Sequence, residues 1–141
     1  MDTIFTKLNY KQGLSLYALN PPEIFNKMLT TLPAEIEVLH EIRKDLPIDF
    51  VIVFATQRTE LENLTQQVAP KLKGDAIFWL AYPKGTSKKY NCDFNRDTSW
   101  GLLNPYNMMP VRQISIDEDW SAIRFRKTEY IKSEKRKAVR D

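Results

Sequence analysis

The sequence predicts a three-layer α/β domain, a mostly parallel sheet with helices on both faces and an antiparallel hairpin at its C-terminal end. Three observations predict it. Short apolar runs at residues 14–19, 48–54 and 76–82 have the length of strands buried on both faces. Capped segments of helical periodicity lie between them, at 21–31 and from Thr59 onward. Two further strand-like runs, 111–116 and 120–125, flank the acidic turn Asp117-Glu118-Asp119 and read as a hairpin. Strand–helix alternation is the pattern of parallel sheets covered on both sides.

Taken in order, Leu14 to Leu19 follows Gly13 and reads as a first buried strand. Asn20-Pro21-Pro22-Glu23 then offers an N-cap, prolines for the first turn and a glutamate three residues after the cap, so a helix is expected over 21–31, ended by Pro33. Glu35 to Leu39 alternates as a half-exposed strand, with Ile36 and Val38 inward. Residues 40–47 are too few for a helical crossover, which needs about a dozen residues, so one irregular or helical turn is expected there. Ile48 to Phe54 is the clearest strand. Thr59-Glu60-Leu61-Glu62 reads as a second capping box, with Leu61, Leu64, Val68 and Leu72 on one face and Gly74 closing the connection. Ala76 to Tyr82 is a strand stopped by Pro83, residues 83–93 are a polar loop, and Asp97 to Leu103 has the length of a short helix.

Composition sets limits on function. The 141 residues suit one domain, expected over 1–127, with 128–141 as a basic tail. No apolar run approaches the roughly 18 residues of a membrane helix, the N-terminus lacks the features of a secretory leader, and the single cysteine suits a reducing interior, so a cytoplasmic location without membrane association is expected. One histidine and one cysteine do not make a zinc site, and no metal is expected. Residues 1–123 carry a net charge of −2 and residues 124–141 carry +5. Nucleic acid is therefore expected as a partner only through the tail.

Three stretches carry a family resemblance. They are Lys7-Leu8-Asn9-Tyr10-Lys11-Gln12-Gly13 with Asn20-Pro21, then Tyr82-Pro83-Lys84-Gly85-Thr86-Ser87-Lys88 with Asp93, Asn95-Arg96-Asp97 and Trp100, and finally Ser115-Ile116-Asp117 with Trp120 to Arg126. Together they resemble a family of small bacterial proteins of unknown function whose core is a methyltransferase-like Rossmann domain without the glycine-rich cofactor loop. The resemblance spans roughly residues 5–127. It implies a Rossmann-like, methyltransferase-like fold and a bacterial origin, and it carries no reaction.

In such sheets ligands sit beyond the C-terminal ends of the strands. The loops expected there are Leu19 to Pro22, Ala55 to Arg58, and Tyr82 to Asp93, which makes Asn20, Thr56, Gln57, Lys84, Thr86, Ser87, Lys88 and Asp93 candidate ligand-binding residues, with Arg96 and Asp97 just beyond the last loop. The first loop has no glycine and two prolines, each removing an N–H from the helix start, so phosphate cradling is disfavoured there, and adenosylmethionine is a disfavoured cofactor. Lys84, Lys88, Lys89 and Arg96, with the hydroxyls of Thr86 and Ser87, suit a carboxylate or phosphate, and equally suit a solvated surface loop. Asp93 and Asp97 suit acid–base chemistry or, in the plainer reading, helix capping. Trp79 and Trp120 read as packing residues. His40 has no visible partner. Cys92 has lysines nearby that can lower a thiol pKa, but no adjacent base, and reads as inert. The leading expectation is a non-catalytic or regulatory domain that binds a small anionic molecule or a protein partner. The alternatives are an adenosylmethionine-dependent methyltransferase or other small-molecule enzyme, and a nucleic-acid-associated protein that uses its tail.

Overall fold

Residues 3–94 and 101–131 are described by the computed structural model. Helix α1 (Ile4–Lys7) leads to β1 (Leu16–Leu19), α2 (Glu23–Leu29), β2 (Val38–Leu39), β3 (Ile48–Phe54), α3 (Arg58–Val68), β4 (Leu72–Pro83), β5 (Met108–Ser115) and β6 (Trp120–Lys127). The strands form one sheet in the order β2-β1-β3-β4-β6-β5. Strand β1 runs parallel to β2 and β3, and β3 parallel to β4. Strand β6 is antiparallel to both β4 and β5, which makes the expected hairpin.

The central strands are buried on both faces because their side chains are apolar at every position that matters. Ile48 and Phe50 to Phe54 are no more than 1% exposed. Odd-numbered Val51 and Val53 join α3 residues Leu61 and Val68, together with Phe78, Leu80 and Phe125. Even-numbered Phe50, Ile52 and Phe54 join Phe5 of α1, Leu8 just after it and Phe25 of α2, together with Trp79 and Trp120. Helices therefore cover both faces, as predicted. Each buried side chain of this size contributes about 1.5–3 kcal/mol.

Four local expectations are corrected. The first helix begins at Glu23 with Pro22 in the cap position and no side-chain cap, so Asn20 is not its cap. Asn20 sits at φ +58, a left-handed conformation, whereas a capping residue needs an extended one. The box of α3 is formed by Gln57 and Glu60, not by Thr59 and Glu62. Strand β2 has two residues, although Ile36 and Val38 do pack inward against the α2-side core. Gly74 lies inside β4 at φ +54 rather than closing a loop. The register there passes from Ile48↔Leu72 to Phe50↔Ile77, and the bulge that accommodates the mismatch uses the glycine's freedom.

Residues 40–47 cross from the end of β2 to the start of β3 without a helix, in an irregular turn. Ile42 and Leu46 lie against the α3-side core, and the Tyr17 hydroxyl donates to the Leu46 carbonyl at 3.2 Å. Of the helix expected over Asp97 to Leu103, residues 101–103 are helical and the remainder lies outside the described residues. Packing continues past β6, since Ile131 is 4% exposed.

Candidate functional site

Strand order reverses at β1 and β3, because the chain leaves β1 for β2 on one side and leaves β3 for β4 on the other. Loops leaving neighbouring strands in opposite directions open a crevice at their C-terminal ends, and that is the ligand position in open α/β sheets. Here the crevice is bridged by side chains of the chain itself. Asn20, at the end of β1, donates through Nδ2 to the Phe54 carbonyl at the end of β3 (3.0 Å) and to Glu60 Oε2 (3.1 Å). The other oxygen, Glu60 Oε1, accepts from the Thr56 amide and the Thr56 hydroxyl, both at 3.1 Å, and from the Gln57 amide at 3.2 Å. The Gln57 side chain accepts in return from the Glu60 amide.

Asp93 completes the arrangement. Its Oδ1 accepts from the Arg58 amide at 2.6 Å, and its own amide donates to the Thr56 carbonyl at 3.2 Å. The start of α3 thus meets two carboxylates, Glu60 and Asp93, where the positive end of the helix would otherwise attract an external anion. The capping reading of Asp93 is the one observed, although the helix it caps is α3. Asn20, Thr56 and Gln57 are each bonded to Glu60, and Asp93 is bonded to the Arg58 amide and the Thr56 carbonyl. Glu60 was missed as a site residue, and its signal was the spacing Gln57-x-x-Glu60.

The lysine-bearing loop is also bonded inward, against the tip of the β5–β6 hairpin. The Lys84 amide donates to the Asp119 carbonyl at 2.8 Å, and Lys84 Nζ to the Ser115 hydroxyl at 2.7 Å. Ser87 donates its hydroxyl to Asp119 Oδ1 at 2.8 Å and accepts from the amides of Lys89 and Tyr90. Thr86, Lys88 and Lys89 share a recess with Glu118 and Asp119, so their charge is partly offset. A second recess, of about 330 Å³, lies beside β4 and is lined by Tyr82, Lys84, Ser87, Tyr90, Cys92 and Phe94, among others. Among the described residues, no carboxylate lies within ion-pair distance of Lys84. Arg96 and Asp97 lie outside the described residues.

The remaining singled-out side chains pack or bond within the domain. Trp79 is fully buried and donates to the Leu8 carbonyl at 2.8 Å. Trp120 is 3% exposed and packs against Phe54 and Tyr90, with ring centroids 5.3 and 4.9 Å away. His40 Nδ1 lies 2.9 Å from the Ala18 carbonyl, the partner its sequence context did not show. Burial pushes the Cys92 thiol pKa up; a hydrogen bond with the Phe94 backbone opposes this and the Asp93 charge adds to it. No lysine is among the groups that shift it. Among the described residues no group of three His, Cys, Asp or Glu is placed to hold a metal. None of their helices is long and apolar enough to cross a membrane.

No family model matches the sequence, and no curated relative does. Solved structures match the fold. The N-methyltransferase NodS from Bradyrhizobium japonicum is 13% identical, with a TM-score of 0.55 over 89% of this chain and 93% of that one. A SAM-dependent methyltransferase from Aquifex aeolicus is 12% identical, with a TM-score of 0.55 over 89% and 88%. LepI, solved in complex with SAM, is 11% identical with a TM-score of 0.54, and the chain spans 39% of its length. At these identities the likeness establishes a methyltransferase-like Rossmann fold and nothing finer.

Proposed function

We propose that this chain is a non-catalytic, regulatory binding domain built on a methyltransferase-like scaffold, with its ligand taken at the Lys84 loop rather than in the switch-point crevice. The observation that carries this reading is the Asn20–Glu60–Thr56–Gln57 set of bonds across the ends of β1 and β3. A ligand entering that crevice competes with these part-buried and exposed bonds, each worth about 0.5–1.5 kcal/mol net. Adenosylmethionine gains no glycine-lined approach in exchange, because the turn after β1 is Asn20-Pro21-Pro22.

The recess beside β4 supplies what the crevice lacks. Tyr82, Tyr90 and Phe94 offer ring surfaces, and Lys84 offers a cation whose observed partner, the Ser115 hydroxyl, is neutral. A small planar anion suits that lining. Calorimetric titration with adenosylmethionine and adenosylhomocysteine, run beside a transfer assay using labelled methyl donor, tests the reading. The expected result is no micromolar binding and no transfer. Micromolar binding accompanied by transfer overturns it.

The second reading is an active methyltransferase, favoured by likeness to enzymes such as NodS. It requires that Asn20 and Glu60 part when cofactor arrives. Lys84, Asp93 and the undescribed Arg96 and Asp97 are its candidate site residues. Transfer activity that survives both Lys84→Ala and Asp97→Ala would remove them from that role.

A further inference from the structure

The hairpin carries a cluster of arginines that the switch-point argument does not use. Arg112 on β5 and Arg124 on β6 are register partners, so their side chains share one face of the sheet. Arg126, two residues along β6, shares that face and grips Asp75 with a two-pronged bond, Nε to Oδ1 at 2.9 Å and Nη2 to Oδ2 at 2.6 Å. Asp75 is thereby engaged by one of three guanidiniums. Among the described residues no carboxylate lies within ion-pair distance of Arg112 or Arg124. Arg124 Nε is buried and has no acceptor.

From this geometry we infer that Arg112 and Arg124 form a binding site for a phosphate-bearing anion on the hairpin face. A partly buried guanidinium that has no carboxylate of its own and pairs in register with a second unpaired arginine is an arrangement that an anion stabilises. Burial, opposed by Asp75 but reinforced by Arg126 and Arg112, holds the Arg124 pKa below its ordinary value, in agreement with a missing counter-charge. Cross-strand partners place their Cβ atoms about 5 Å apart, within the span over which two guanidinium groups can share one tetrahedral anion. A dianionic phosphate matches the two unneutralised charges, whereas a single carboxylate balances one.

Arg112 and Arg124 pair midway along the hairpin, and β6 runs on from there to Lys127. Lys127 Nζ donates to the Leu72 carbonyl at 3.1 Å, and a Cβ added at Gly74 would lie 3.8 Å from the Tyr130 hydroxyl. The sequence then supplies Lys132, Lys135, Arg136, Lys137 and Arg140. The phosphate can therefore come from a free small molecule or from a nucleic-acid backbone. The shared chemistry is the phosphate held by the two arginines.

The test uses the full chain, with inorganic pyrophosphate and a single-stranded thymidine oligonucleotide as separate probes. Binding is read by calorimetry and by the NMR signal of the Arg124 Nε–H. The variants are Arg112→Gln, which lies on an exposed edge and leaves the core intact, Arg124→Gln, and Arg43→Gln as a distant control. Loss of a charge-assisted bond of this kind predicts roughly tenfold or greater weakening in the first two and no change in the control. That pattern with pyrophosphate assigns a small-molecule source, and that pattern with the oligonucleotide alone assigns a polymer source. Binding of neither probe overturns the inference. Equal binding by wild type, Arg112→Gln and Arg124→Gln also overturns it, including the case where only substitution of Lys135, Arg136 and Lys137 abolishes binding.

Discussion

Glu60 gathers four donors onto two oxygens, and three of the four belong to the loop that follows β3. Removing the carboxylate leaves the Thr56 and Gln57 amides without their acceptor at the start of α3. Glu60→Ala is therefore expected to lower stability by about 1–2 kcal/mol, read as a lower urea midpoint at unchanged slope. An unchanged midpoint would show that the bridge is decorative. Cys92 gives a second residue-level prediction. With its pKa raised, the folded protein holds little thiolate, so alkylation at pH 8 should be slower than for a free cysteine and should accelerate on denaturation. The sign for stability follows the same shift. Any contribution from the thiol is fully present below the unfolded pKa and is lost as pH rises through the higher folded one. Asn20 shows why part of the site was not legible. Its neighbours Pro21, Pro22 and Glu23 form a local pattern for a cap, while the bonds it makes reach Phe54 and Glu60, 34 and 40 residues away. Local spacing carries no information about such partners.

Elements were legible where one physical cause sufficed. Strand β3 was read with its observed limits, because burial on both faces demands an unbroken β-branched and aromatic run. Strand β4 was read short at its start, since Lys73, Gly74 and Asp75 look like a loop and join the sheet only through a bulge. Helix α1, four residues long, was not anticipated at all. Its place depends on a tertiary bond, Trp79 Nε1 to the Leu8 carbonyl, and on Phe5 packing near Tyr10 and Phe25. Trp79→Phe is expected to cost about 2–3 kcal/mol, from the carbonyl left unmet and the space the indole vacates. Amide exchange should speed up in residues 4–10 more than in α3. Uniform acceleration throughout would mean that the bond does not anchor α1 specifically.

At the scale of the whole molecule, the expected parallel arrangement of residues 14–19, 48–54 and 76–82 is observed as β1, β3 and β4 side by side. The covering of both faces followed from strand–helix alternation, while the order of the strands was read only from the structure. What alternation could not express is that the crevice it creates is bridged from within, which depends on a left-handed asparagine, a helix-start glutamate and Asp93 converging from three loops. Open α/β sheets take ligands at the switch point, and here side chains of the chain bond to one another at that position. The most direct measurement follows the NMR signals of the Asn20 side-chain amide and of the Gln57 and Arg58 backbone amides while adenosylmethionine is added to millimolar concentration. The account predicts that all three stay where they are. Their saturable movement together at micromolar concentration would contradict it.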